Sequence, residues 1–304
     1  MSNAYLRFWG VRGSYSAPFD THLAVGGNTS CVEIRVDDKI LICDAGTGII
    51  PLGNELMQQS KIREMLIILT HYHWDHICGL PFFVPAFVPD WKIDFFGPGK
   101  SDKDIKEFVS AQMRAPFFPV GTETWLADVG YLSPSENHEL SYGPMYITYS
   151  SVHHPGTTYG YNIRVNNKNI LYISDNECLY LNKAIRSKYG EFSKEEQDLY
   201  DAMQKEEYES ELRLIENADI LIHDAQYTLE DYKKKRGWGH SCYIDTVNTA
   251  IDAGVKELYL YHHDPNYDDK AIEALYSHCL EIIRERSSDL KCHIAREGMQ
   301  IDLS

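Results

Sequence analysis

The chain has 304 residues, 43% hydrophobic and 24% charged, with a formal net charge of −16 at neutral pH. This composition is ordinary for a globular enzyme. No apolar run approaches the roughly 18 residues of a transmembrane helix, so a membrane is not expected as a partner.

The seven cysteines form no Cys-x-x-Cys pair, and the first residues lack the pattern of a secretory signal. Both observations predict a cytoplasmic protein. The acidic surplus weakens binding to a phosphate backbone, so no long nucleic acid is expected as a partner. A small phosphoester substrate remains compatible with this charge, because bound metal ions can reverse the sign inside a pocket.

Short apolar segments rich in β-branched residues, bounded by turn residues, predict a series of strands. They cover residues 31–36, 40–43, 65–69, 93–96, 146–149, 169–173, 219–222 and 257–261. Helical patterns lie at about 103–113, 194–216, 243–253 and 270–286. Strands cluster early and alternate with helices later, which predicts an α/β fold with mixed sheets and helices packed outside.

We expect a single domain over residues 1–304, because the sequence shows no internal repeat and no low-complexity linker. Residues 180–216 stand apart as a charged helical insertion that ends in a dense acidic run. A solvated helix is the simpler interpretation of this charge pattern, with a partner-binding surface as the alternative.

Four of the predicted strands run directly into histidine or aspartate. The carboxyl ends of strands in open α/β sheets are where ligands gather, so this pattern predicts a site. The side chains delivered there are His71, His73, Asp75 and His76 after 65–69, Asp175 after 169–173, His223 and Asp224 after 219–222, and His262, His263 and Asp264 after 257–261.

The segment 71–76 is the strongest signal, since it holds three of the 13 histidines together with an aspartate. Alternation along an extended backbone places His71 and His73 on one side. The following turn can direct Asp75 and His76 towards a second point nearby. Imidazole and carboxylate suit Zn²⁺ first, with Mn²⁺ or Fe²⁺ as alternatives. A surface histidine cluster is disfavoured, because an apolar strand leads straight into it.

Further motifs accompany this segment along nearly the whole chain. They are Phe8-Trp9-Gly10-Val11-Arg12-Gly13-Ser14, Asp44-Ala45-Gly46-Thr47-Gly48, His154-Pro155-Gly156, Ser174-Asp175, His223-Asp224-Ala225, Gly239-His240-Ser241 and Tyr261-His262. Together with His71-x-His73-x-Asp75-His76, they resemble the metallo-β-lactamase superfamily, in particular its branch of ribonuclease Z and cyclic-phosphate phosphodiesterases.

The resemblance implies a four-layer αββα sandwich with mixed sheets, a homodimer, and two divalent metal ions with a water or hydroxide between them. One ion would be held by His71, His73 and His154, the second by Asp75, His76 and His262, and Asp175 would bridge both.

Two ligand positions have a neighbouring alternative. His154 is favoured over His153, because Pro-Gly follows it as in the family motif. His262 is favoured over His263, because the family's ligand comes directly after the strand. The alternative for His153 and His263 is a supporting or packing role.

Other polar residues near these motifs are expected to support the site. Asp44 is predicted to hydrogen-bond and orient the histidine loop, with a distant ligand as the alternative. His223 is interpreted as a core histidine, with a ligand as the alternative.

The candidate catalytic residues are Asp75, His240 and Asp224. His240 can act as a general acid, as a phosphate contact or as a structural loop residue, just before a helix capped at Ser241 or nearby. Asp224 is predicted to orient His240.

Two proline-rich segments, 80–91 and 114–119, concentrate aromatic side chains that include Phe82 and Trp91. They can line a pocket and stack on a nucleobase, or form a rigid rim or a dimer contact.

The predicted function is a phosphodiesterase that cleaves a small cyclic nucleotide or cyclic ribose phosphate by attack of a metal-bridging hydroxide. One alternative is a transfer-RNA 3′-end processing endonuclease, and another is a non-catalytic ligand-binding sensor. β-Lactam hydrolysis is disfavoured, because the lactamases of the superfamily use cysteine where this chain has Asp175.

Overall fold

Two seven-stranded mixed sheets form the centre of the structure, a computed structural model that describes residues 4–59, 61–181, 190 and 192–304. The first sheet has the order β14-β1-β2-β3-β4-β5-β6, and the second has the order β13-β12-β11-β10-β9-β8-β7. The strands are β1 Ala4–Gly10, β2 Cys31–Val36, β3 Lys39–Cys43, β4 Glu64–Ile68, β5 Lys92–Phe96, β6 Asp128–Leu132, β7 Glu139–Tyr142, β8 Met145–Ser151, β9 Tyr159–Val165, β10 Lys168–Ile173, β11 Ile220–Asp224, β12 Glu257–Tyr261, β13 Lys291–Ile294 and β14 Gln300–Asp302.

Helices cover the outer face of each sheet, and short 3-10 turns complete the connections. The α-helices are α1 Ile49–Gln59, α2 Trp74–Ile77, α3 Asp102–Ala111, α4 Lys194–Ile215, α5 Leu229–Lys235, α6 Tyr243–Asp252 and α7 Asp269–Glu285. The 3-10 turns are Asp20–His22, Leu80–Phe82, Val84–Phe87 and Thr122–Thr124.

Alternation along the buried strands assigns successive side chains to different layers. Leu41 and Cys43 of β3 join the core between the two sheets, whereas Ile40 and Ile42 pack under the helices of the first sheet. Leu258 and Leu260 of β12 likewise face the helices of the second sheet. The layers therefore run helix, sheet, sheet, helix, and the predicted fold class is confirmed.

The eight predicted strands and four predicted helices are confirmed to within two residues at their ends. The six strands that were not predicted are β1, β6, β7, β9, β13 and β14. Helix α1 was missed, because Pro51 and Gly53 are typical of a turn. Pro51 lies in the first helical turn, where the backbone N–H has no intrahelical acceptor, so the ring is accommodated.

The predicted insertion at 180–216 is helical over α4, which begins at a capping box formed by Ser193 and Glu196. Residues 182–189 and 191 of that insertion lie outside the described residues. In the part of the chain that the structure describes, no helix combines the length and apolarity needed to cross a membrane.

Candidate metal centre

The ends of four strands meet at one edge of the sandwich. Strands β10, β11 and β12 are parallel neighbours, so their carboxyl ends bring Asp175, Asp224 and His262 side by side. Strand β4 of the facing sheet ends three residues before His71. The two sheets thus contribute to one cluster of side chains, as the strand-end pattern predicts.

The first group of the cluster consists of His71, His73 and His154, whose candidate ligand atoms lie within 4.8 Å of one another. Nδ1 of His73 is 3.1 Å from Nε2 of His154. His73 is exposed, while the other two rings are buried. The group therefore opens to solvent on the His73 side.

The second group consists of Asp75, His76 and His262, which also lie within 4.8 Å of one another. Nε2 of His262 is 3.1 Å from Oδ2 of Asp75 and 3.3 Å from Nε2 of His76. Three converging ligand atoms of this type match the donor set of a divalent transition metal.

Asp175 lies between the two groups. Its Oδ2 is 3.9 Å from Nε2 of His71 and 3.8 Å from Nε2 of His154. The same carboxylate approaches the second group at 3.1 Å from Nε2 of His76 and 3.5 Å from Nε2 of His262. The structure thus brings all seven predicted ligands together, with this carboxylate between the two groups.

One buried atom tests whether the cluster fits metal ions. Nε2 of His71 has no hydrogen-bond partner among the described residues, whereas Oδ1 of Asp175 contacts Nε2 of His76 at 3.1 Å. A buried polar atom without a partner is costly, and a bound cation would satisfy the His71 nitrogen. The residues therefore fit a divalent metal centre.

The ionisation of the cluster is consistent with this fit. Burial lowers the pKa of His71 well below its usual value, which favours the neutral, ligating form. Burial alone would raise the pKa of Asp175, but His262 and His76 hold it well below its ordinary range. For His76 burial acts to lower the pKa, yet Asp175 and Asp75 raise it, so a cation at this site would compete with a proton on His76.

Asp44 stabilises the segment 71–76 through hydrogen bonds. Its Oδ2 is 2.8 Å from Nδ1 of His76 and accepts from the Tyr172 hydroxyl at 2.8 Å. Its Oδ1 accepts from the Thr70 backbone N–H at 2.8 Å. The side chain is fully buried and the residue adopts φ +60°, a conformation that non-glycine residues keep only where surrounding contacts impose it. This geometry matches the predicted orienting role.

His240 and Asp224 form a pair that adjoins the cluster, and the candidate ligand atom of His240 also lies within 4.8 Å of those of His154 and Asp175. Nδ1 of His240 is 2.7 Å from Oδ2 of Asp224 and 3.7 Å from Oδ2 of Asp175. Asp224 also accepts from the Ser241 backbone N–H at 3.3 Å. The carboxylate thus fixes the orientation of the imidazole at the edge of the site, as predicted.

The neighbouring histidines lie outside the cluster. The His153 ring is exposed and stacks on Tyr180 at 4.4 Å between centroids. His263 is buried with Nε2 at 3.2 Å from the Ala295 carbonyl oxygen, and burial followed by the charge of Arg12 lowers its pKa to about 3. His223 lies in the core with Nδ1 2.8 Å from the carbonyl oxygen of Asp224.

The helix after His240 has its N-cap one residue after Ser241, within the predicted range. Cys242 is the N-cap of α6, because the Ser241 hydroxyl already donates to the Asn176 carbonyl at 2.6 Å and accepts from the Cys178 backbone N–H at 3.0 Å. Ser241 therefore ties the His240 loop to the loop after β10.

Sequence reasoning missed the polar contacts that hold the second group. The Ser14 backbone N–H donates to Oδ2 of Asp75 at 2.6 Å, and Nδ1 of His262 is 3.1 Å from Oε1 of Gln226. A Cβ at Gly13 would lie 2.4 Å from the His262 ring, so only glycine fits there. The Gly13-Ser14 motif was the available signal, but it did not reveal which side chain it contacts.

Glu177 was also missed, although it lies two residues from Asp175. Its fully buried carboxylate accepts from the Tyr232 hydroxyl at 2.8 Å and from the backbone N–H groups of Gly237 and Gly239 at 3.0 and 2.9 Å. The carbonyl oxygen of Gly239 is in turn 2.8 Å from Nδ1 of His154. Glu177 thus holds the loop that positions both His154 and His240.

Known proteins similar to this chain share both sequence and fold. A model of the metallo-beta-lactamase superfamily matches residues 24–94. Ribonuclease Z of Picrophilus torridus is 22% identical over 289 residues, covering 87% of each chain.

Solved structures extend the likeness to the whole chain. The metallo-beta-lactamase fold protein YhfI from Bacillus subtilis superposes with a TM-score of 0.67 at 18% identity, covering 99% of this chain and 100% of that one. Human tRNase Z, short form, gives a TM-score of 0.60 at 17% identity, covering 99% of both chains.

These similarities correct one expectation from composition. The expectation that no long nucleic acid is a partner is wrong, because the relatives are ribonuclease Z and tRNase Z proteins, named for action on RNA. The net charge of −16 sums over the whole surface, whereas binding depends on the field at one site, which cations can invert.

Proposed function

We propose that this chain, which resembles the metallo-β-lactamase superfamily and its ribonuclease Z-like branch, is a binuclear metal-dependent phosphodiesterase. The observation that carries the proposal is the convergence of seven candidate ligand side chains around the buried Nε2 of His71, which has no hydrogen-bond partner among the described residues. A site with this donor set and a carboxylate at its centre suits two divalent cations.

The proposed assignment divides the ligands between the two cations as the resemblance implies, and Zn²⁺ is the metal we expect first. One cation would be held by His71, His73 and His154, the other by Asp75, His76 and His262, with Asp175 shared. Two such cations lower the pKa of bound water and neutralise charge that develops on phosphoryl oxygens.

The remaining chemistry falls to the chain's own residues. Expulsion of an alkoxide needs a proton, and His240 is the proposed donor. The Asp224 carboxylate at 2.7 Å keeps Nδ1 of that ring engaged, so Nε2 is the atom that can deliver the proton. Asp75, held by the Ser14 N–H, keeps the second ligand group in place during turnover.

The proposed substrate is a small cyclic nucleotide or cyclic ribose phosphate. We expect protein loaded with Zn²⁺ or Mn²⁺ to hydrolyse bis(p-nitrophenyl) phosphate and at least one member of a panel of 2′,3′- and 3′,5′-cyclic nucleotides. Metal-loaded protein that leaves every ester intact would favour the alternative of a non-catalytic sensor.

Two adjacent histidines provide a matched control for the ligand assignment. His154→Ala should lower the bound metal and abolish turnover, because its ring lies inside the cluster. His153→Ala should keep both, because its exposed ring stacks on Tyr180 instead. The opposite pattern would reverse the assignment.

A second candidate function is processing of the 3′ end of transfer RNA. It is favoured by the ribonuclease Z relatives and the tRNase Z fold match. Cleavage of a precursor transfer RNA at physiological salt, with cyclic nucleotides untouched, would establish this function over the first. Inclusion of the His154→Ala variant separates cleavage by this site from contaminating nuclease.

A further inference from the structure

An aromatic groove lies directly beside the candidate metal centre. It has a volume of about 450 Å³, and its floor includes Ile77 and Cys78 at the end of helix α2. The same short helix carries Asp75 and His76. The groove and the ligand cluster are therefore two sides of one turn of the chain.

Two aromatic pairs line the groove. The Tyr72 and Phe108 rings are 4.9 Å apart between centroids, and those of Phe82 and Phe118 are 5.6 Å apart in an edge-to-face arrangement. Phe82 is 55% exposed. These contacts hold the rings in fixed positions while leaving aromatic surface open to an occupant.

Between residues 71 and 75, successive side chains belong alternately to the ligand cluster and to the groove. Tyr72 and Trp74 line the groove, while His71, His73 and Asp75 belong to the ligand cluster. Trp74 is 79% exposed despite its size. With the exposed Phe82 and Phe117 of the same groove, Trp74 forms an apolar patch, which is more informative than a single exposed side chain.

The chemistry of the two sites is complementary. None of the described residues that line the groove is charged, whereas the adjoining cluster is built to hold cations and, through them, an anion. A ligand that spans both would carry a negative group at one end and an uncharged apolar group at the other, and the aromatic pairs favour a flat ring there. The groove's volume lies within the range of small-molecule sites, which is about 300–1,000 Å³.

We propose that this groove is a subsite for the planar aromatic ring of the substrate, and specifically for a nucleobase whose phosphate lies on the metal centre. The inference rests on the proposed function in taking the metal centre as the place where phosphate binds. Stacking on aromatic side chains contributes about 1–3 kcal/mol per base, which corresponds to about 5- to 140-fold in affinity.

The test compares two ligands that differ only in the base. Calorimetric titration of the Zn²⁺-loaded protein gives the dissociation constants of adenosine 5′-monophosphate and ribose 5-phosphate. We expect the nucleotide to bind about 5- to 140-fold more tightly. Equal affinities in the wild-type protein would overturn the proposal.

Variants locate the preference in the groove. Phe82→Ala should reduce the advantage of the nucleotide several-fold without changing the affinity for ribose 5-phosphate. Phe19→Ala is the matched control, because Phe19 is 53% exposed and lies outside the groove lining. An equal loss for both ligands in Phe82→Ala, or the same loss of the advantage in Phe19→Ala, would contradict the assignment.

Trp74 requires a control for metal content, because its neighbours are predicted ligands. Trp74→Ala should lose the base preference, whereas Trp74→Phe should keep most of it. The two variants are compared at equal amounts of bound zinc. Light scattering on the same variants tests the other occupant, a second copy of the chain. A change from dimer to monomer with the ligand preference intact would make the groove a contact between copies and refute the subsite.

The outcomes separate this inference from the proposed function. Selective binding of the nucleotide without hydrolysis of any phosphodiester would keep the subsite and reject the enzyme. Hydrolysis of phosphodiesters with no base preference, in wild-type protein and in Phe82→Ala alike, would keep the enzyme and reject the subsite.

Discussion

Replacing Glu177 by alanine should disable the candidate site without touching a predicted ligand. The substitution removes the acceptor of the Gly239 backbone N–H at 2.9 Å and of the Tyr232 hydroxyl at 2.8 Å, both of which are buried. It also removes the acceptor of the Gly237 N–H, but Gly237 is exposed, so water can replace that bond.

The magnitude follows from the buried Gly239 donor. A buried donor left without a partner costs about 1–3 kcal/mol, so the free energy of unfolding should fall by at least this amount. This is a large share of the about 5–15 kcal/mol that stabilises a typical domain. The Gly239 carbonyl that contacts His154 should shift with the loop, and we expect metal affinity to fall by about 10- to 100-fold.

The assay combines urea unfolding, metal titration and turnover of bis(p-nitrophenyl) phosphate. Glu177→Gln is the matched variant, because its amide oxygen can accept from Gly239 while its amide N–H₂ donates to the Tyr232 hydroxyl. We expect it to lose only about 1 kcal/mol, the difference between charged and neutral hydrogen bonds. The reasoning is refuted if Glu177→Ala matches the wild type in both stability and metal affinity, or if the glutamine variant is equally impaired.

Three further substitutions test the parts of the site separately. His71→Ala should remove bound metal and activity together, measured by elemental analysis and turnover, and full turnover in the metal-stripped variant would disprove a role in binding. His240→Ala should keep its metal and lose about 10²- to 10⁴-fold in kcat as general acid catalysis is lost, whereas loss of metal would make His240 a ligand. In Asp44→Asn, an amide N–H₂ group replaces one of the carboxylate oxygens that contact Thr70 and His76 in the wild type. Metal affinity measured by competition with a chelator should therefore fall by about 10- to 100-fold. Unchanged affinity would limit Asp44 to a packing role.

Eight of the fourteen described strands and the ligand cluster were predictable, because both depend on local pattern. An apolar run that ends in histidine or aspartate indicates a strand, its direction and the side chain at its end. The parallel pairing of β10, β11 and β12 then brings these ends to one edge of the sheet. Asp175 and His262 meet although 87 residues separate them, since each follows its own strand.

The supporting contacts were not predictable, because nothing local specifies them. The Ser14 N–H reaches Asp75 across 61 positions of the chain, and Glu177 reaches Gly239 across 62. Such bonds depend on loop geometry that only the folded chain defines. The prediction about long nucleic acids failed because net charge averages over the whole surface and says nothing about one site.

The division of the cluster between two sheets ties cation binding to assembly of the sandwich. Residues 71–76 belong to the amino-terminal half of the chain, whereas His154, Asp175 and His262 come from the other half. Among the described residues, neither half alone offers both complete sets of donors. Cation uptake should therefore report when the two halves have docked, and binding energy that favours the docked form would hold this edge of the sandwich closed. A newly made chain would acquire its reactive centre only once its architecture was complete.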